Sequence, residues 1–138
     1  MIWAFYLRRV DTQVLKRVVA RAFALTEAEI DLAHSYSTLP TGGALGIVVW
    51  SSSGEFPVTV EVAAGQSPAN MDELSLAKEI SHEMATAVLI SDVSREPGNF
   101  ASMMLVQPDG QVRAVWLDAD RLQNDELCLA HDESERES

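Results

Sequence analysis

The tightest constraint on this chain is a hairpin signal in its second half. Residues 100–106 and 111–117 are two strand-like runs, and Gln107-Pro108-Asp109-Gly110 joins them. Proline presets the backbone for the second residue of a tight turn, and glycine accepts the positive φ that closes it. Val112, Ala114 and Trp116 share one face of the last strand, and Arg113, Val115 and Leu117 share the other. Upstream, Ala87-Val88-Leu89-Ile90 is a short continuous apolar run, so a strand is expected over 87–91. A loop through Glu96-Pro97-Gly98-Asn99 separates it from the hairpin.

The first half begins with a short aromatic and branched run, residues 2–7, which reads as a strand. Asp11 or Thr12 then caps a helix whose Val14, Leu15, Val18, Ala22 and Leu25 recur at helical spacing. Thr26 and Glu29 have capping-box spacing, which predicts a short helix over 27–34. Pro40, Gly42 and Gly43 break the chain before a strand over 44–50. Val58, Val60 and Val62 alternate with Thr59 and Glu61, giving a strand over 57–62 with one buried and one wet face. Ser51 to Glu55 closes that pair as a hairpin loop. The next helix starts either at Ser67 with Pro68 or at Asn70 with Glu73. Its inner stripe is Leu74, Ala77, Ile80, Ser81, Met84 and Val88. Trp50 and Trp116, at strand ends, read as core residues.

This order of elements shows neither strict strand–helix alternation nor an internal repeat. It predicts a single α+β domain over 1–130: a mainly antiparallel sheet of about six strands, with two main helices on one face. Leu122, Leu127 and Leu129 dock a short terminal segment. Residues 131–138 contain no apolar side chain and are expected to form a disordered acidic tail.

Charge narrows the function. The net charge is -11 at pH 7. Phosphate backbones repel such a surface, so nucleic acid is not an expected partner. Residues 1–21 hold five of the ten Lys and Arg and one acid, so the remainder is more acidic still. No apolar run approaches the roughly 20 residues of a membrane span. The N-terminus is apolar before it is basic, the reverse of a secretory signal. Cys128 is the only cysteine, so no internal disulfide is possible. A cytoplasmic location is expected.

Chemistry-bearing patterns are sparse. Glu79 and His82 have the spacing of one half of a di-iron site, but the second pair and the further carboxylates are missing. His82-Glu83 opens like a zinc-protease helix, yet Thr86 stands where the second histidine belongs. Asp118-Ala119-Asp120 starts like a calcium loop, but Leu122 and Gln123 occupy ligand and glycine positions. No catalytic residue, metal or cofactor is therefore expected. Only an unseen tertiary contact would bring Cys128 or a histidine into a reactive pair.

Residues 74–129 run from a helix to a short buried strand (Val88-Leu89-Ile90-Ser91-Asp92), then the Pro108-Asp109-Gly110 hairpin, then the acidic end Val115-Trp116-Leu117-Asp118-Ala119-Asp120. This pattern resembles small acidic bacterial immunity proteins, which neutralise toxins of contact-dependent and related secretion systems. The basic first helix departs from it. The resemblance implies a non-catalytic protein-binding module that occludes a basic toxin. Asp92, Trp116, Asp118, Asp120, Asp125 and Glu126 are the candidate partner-binding residues. The rival reading is a small enzyme or metabolite-binding domain with a polar pocket. The chain is expected to be a monomer, or a homodimer that hides an edge strand.

Overall fold

The computed structural model describes residues 2–39, 44–64, 71–91, 102–122, 124 and 126–129. They form β1 (Ile2–Leu7), α1 (Thr12–Ala22), β2 (Ile30–Ala33), β3 (Leu45–Ser51), β4 (Val58–Ala64), α2 (Glu73–Met84), β5 (Val88–Ser91), β6 (Ser102–Val106), β7 (Val112–Trp116) and α3 (Ala119–Leu122). All seven strands join one sheet in the order β2-β3-β4-β1-β5-β6-β7. Only the β2–β3 pairing is parallel; the other five are antiparallel. This is the expected α+β layer, with seven strands where the sequence suggested about six.

The additional strand is β2, where the sequence predicts a helix over 27–34. The capping box exists: the backbone N–H and hydroxyl of Thr26 donate to Glu29 Oε1 at 3.2 and 3.0 Å. It starts only one 3₁₀ turn, Glu27–Glu29. Ile30 then pairs beside Leu45, with its side chain buried in the main core. A cap fixes where a helix begins, not how far it runs, and a branched residue next to an open sheet edge is stabilised by pairing.

Both main helices pack on one face of the sheet. Asp11 Oδ1 accepts from the N–H groups of Gln13 and Val14 at 3.0 and 3.3 Å, which caps α1. Its apolar stripe buries Leu15, Val18 and Val19. The cap of α2 is Asp72, whose Oδ1 accepts from Ser75 N–H at 2.7 Å. The two predicted caps, Ser67 and Asn70, lie outside the described residues. Leu76, Ile80 and Met84 of α2 meet Phe5, Leu7, Val60, Val62 and Val88 of the sheet in one cluster. Helix α2 ends on Ala85, a left-handed residue with φ 51°.

The opposite face has its own smaller core of Phe56, Leu89, Met103, Leu105, Val115 and Leu117. Leu122, Leu127 and Leu129 cover it, so the terminal segment docks as the sequence suggested. Leu117 bridges Leu129, and Phe56 N–H donates to the Leu127 carbonyl at 2.9 Å. The hairpin turn is also as read: Gly110 N–H donates to the Gln107 carbonyl at 2.9 Å, and Gly110 has φ 89°. The predicted disordered tail, 131–138, lies outside the described residues.

Candidate functional site

The far half of that second face is less covered. Period-two alternation turns Leu45, Ile47 and Val49 of β3 toward the helices, so Trp50 points away from them. In register across the sheet, Trp50 pairs with Thr59, Thr59 with Tyr6, and Tyr6 with Leu89. Trp50 is 37% exposed, which corrects its sequence reading as a core residue. Ser51 and Ser52 next to it are polar and exposed, while its cross-strand partner Thr59 is buried.

Glu61 lies one pleat away on the same face, paired with Val48 and Ala4. The connection from β2 to β3 passes over it. Leu39 occupies the space above Gly46: a Cβ on that glycine would lie 2.8 Å from Leu39 Cδ2. Tyr36 donates its hydroxyl to Glu61 Oε1. Burial of the phenol, then the adjacent Glu61 carboxylate, push the Tyr36 hydroxyl up to about 12. His34 fixes the start of this crossover, because its Nδ1 bonds the Val49 carbonyl at 3.2 Å. A carbonyl only accepts, so Nδ1 carries the proton. Tyr36 is 47% exposed and Ile2, at the far end of β1, 59%. The face thus presents two large aromatic side chains and an aliphatic one, with a carboxylate between the strands.

Of the acidic residues singled out from the sequence, those described lie around α3. Asp118 caps α3: its Oδ1 accepts from Asp120 N–H at 3.0 Å and Arg121 N–H at 3.2 Å. Glu126 pairs with Arg121 at 3.0 Å. That guanidinium, together with the Ser53 hydroxyl, holds the Glu126 carboxyl below the usual carboxylate range. Asp120 is exposed and Trp116 half-buried. Asp92 and Asp125 lie outside the described residues. The structure therefore brings Asp118, Asp120 and Glu126 together around one short helix, with Asp118 and Glu126 engaged in bonds of their own. The β3–β4 loop links this helix to Trp50: a Cβ on Gly54 would lie 3.0 Å from the Leu127 nitrogen.

Sequence reasoning missed Tyr36, Ile2 and Glu61 as a group. Glu61 had been placed on a wet face, and strand parity alone would have put Trp50 beside it. The overhead position of Tyr36 depends on the parallel β2–β3 pair, which no local pattern announces.

The reactive pairs considered from the sequence are separated. Cys128 Sγ takes the Glu55 N–H at 3.3 Å and has no histidine beside it among the described residues. His82 Nδ1 bonds the Pro108 carbonyl at 3.3 Å, in a cleft that Glu79 also lines. Among the described residues, no three His, Cys, Asp or Glu side chains gather as a metal site. No helix among them is long and apolar enough to cross a membrane. Comparison of the chain with models of protein families, with curated proteins and with solved structures finds no match.

Proposed function

We propose that this chain is a non-catalytic protein-binding module, a bacterial cytoplasmic immunity protein that neutralises a basic toxin by occlusion. The observation that carries the reading is two exposed aromatic side chains, Trp50 and Tyr36, on the sheet face that carries Glu61. Binding energy concentrates in a few large aromatic anchors ringed by polar groups. Trp50 and Tyr36 serve as the anchors. Asp120, with Asp118, Glu126 and Trp116 behind it and Asp92 and Asp125 as further candidates, supplies an acidic rim. A net charge of -11 speeds encounter with a cationic partner, repels nucleic acid, and lets the acids compete for the Lys and Arg a toxin would use on phosphate.

Affinity capture from the native host tests this, with the wild type and a Trp50→Ala/Tyr36→Ala variant, each at low and high salt. The expected result is one basic protein retained by the wild type at low salt and lost from the folded variant. Rim contacts predict weaker retention at high salt. Equal retention by the variant, or no retained protein at either salt, defeats the reading. Sedimentation of the wild type alone shows whether the same face instead closes a homodimer.

A further inference from the structure

In this strongly acidic chain, three of the ten Lys and Arg line a single cleft. Arg8 and Arg9 leave the end of β1, and Arg113 stands on β7. They meet where the ends of β1, β5, β6 and β7 come together, in a cleft of about 510 Å³ that Trp50 does not line. Leu105, Pro108 and Leu129 supply apolar wall.

The three guanidinium groups are not equally occupied. Arg8 pairs with Glu55 at 2.9 Å and lies 4.9 Å from the centre of the Phe56 ring. Among the described residues Arg9 donates to the carbonyls of Met84 and Ala85, both at 3.4 Å. That contact complements the negative end of α2 but leaves the cation without a carboxylate. Arg113 is exposed and makes no ion pair or hydrogen bond among the described residues. Two positive charges in one concave place are thus left without a carboxylate among the described residues.

We propose that this cleft binds a small organic phosphate monoester with an apolar or aromatic body. A monoester carries roughly -1.5 to -2 charge at neutral pH and three acceptor oxygens, which matches two unneutralised guanidinium forks. One carboxylate, with a single charge, leaves one of the two uncompensated. The cleft falls in the range of about 300–1,000 Å³ typical of small-molecule sites, so the ligand extends past its phosphate onto the leucine and proline wall. This inference does not depend on the partner face at Trp50.

The test is titration of the full chain, followed by amide NMR shifts, with phenyl phosphate, inorganic phosphate and benzoate as probes. Phenyl phosphate is expected to give saturable shifts at residues 85–87 and at Arg113. Its Kd should be lower than that of either other probe by about tenfold or more. Arg113→Gln should weaken phenyl phosphate by about tenfold with an unchanged thermal midpoint, because the exposed Arg113 side chain makes no ion pair or hydrogen bond among the described residues. Arg17→Gln, on the exposed side of α1, should leave binding as it is. Three outcomes overturn the proposal: no saturation by roughly 10 mM, equal affinity for benzoate, or an Arg113→Gln variant that binds as well as the wild type. Equal affinity for inorganic phosphate overturns the apolar body and reduces the site to a bare anion hole.

Discussion

The hydroxyl of Ser81 donates to the carbonyl of Thr86 at 2.7 Å, across the left-handed residue that ends α2. The same oxygen lies 3.2 Å from the Val106 carbonyl on β6. Ser81 is fully buried, so no water replaces it. One polar atom thereby fixes the helix end, the turn into β5 and the neighbouring strand.

Ser81→Ala leaves those buried carbonyls short of a donor. A buried group left unsatisfied costs about 1–3 kcal/mol. Urea unfolding should show a lower midpoint with an unchanged slope. An unaltered midpoint would mean that the carbonyls find other donors.

Ala85→Gly should act in the opposite direction. A non-glycine residue in the left-handed region pays roughly 1–2 kcal/mol for the closeness of its Cβ to the following carbonyl, and glycine does not. Ala85 is exposed, so its methyl group packs little. Against this stands the extra freedom glycine has in the unfolded chain, about 0.5–1 kcal/mol. A net gain of about 0.5 kcal/mol is expected from the difference of those two terms, visible as a small rise in thermal midpoint.

Tyr36 should ionise late. Its pKa in the folded state is about 12, above the ordinary phenol value of 10.0. A raised value means that the folded state holds the proton more tightly. The stability this contributes is complete below pH 10.0 and is lost as pH rises toward about 12. Tyrosinate absorbance against pH should show a late step that Tyr36→Phe abolishes. A Tyr36 step near the ordinary phenol value would mean that the Glu61 bond does not form in solution.

Phe56→Ala should loosen the smaller core. Phe56 is buried between the sheet and the terminal leucines, and Arg8 stacks on its ring. Removing a buried aromatic ring costs about 3–5 kcal/mol. Because Leu122, Leu127 and Leu129 lose their platform, amide exchange should rise first in residues 117–129. Uniform acceleration along the chain would show that the second core unfolds only with the first.

Much of the fold was legible because it is local. The Pro108-Asp109-Gly110 turn, the valine alternation of β4 and the inner stripe of α2 are each written within a dozen residues. Strand β2 was not, because its conformation is decided by the edge of β3 rather than by its own residues. The site was less legible still. Trp50, at a strand end, reads as a core residue, although its parity opposite Val49 turns it outward. Arg8 and Arg113 come from opposite ends of the chain, and only the sheet order β1-β5-β6-β7 sets them around one cleft. The acidic residues around α3 are plain in the sequence, but that Asp118 and Glu126 bond within their own segment is something no charge count reveals.

Strand β1 lies at the middle of the sheet, held by β4 on one side and β5 on the other. Strand β1 leaves the ribosome before either of these neighbours and must wait for Ser91 before both of them exist. Until then the side of β1 at Tyr6 and Leu7 that β5 will pair stays open, and nascent chains halted short of β5 should depend on chaperones in a way that the finished protein does not.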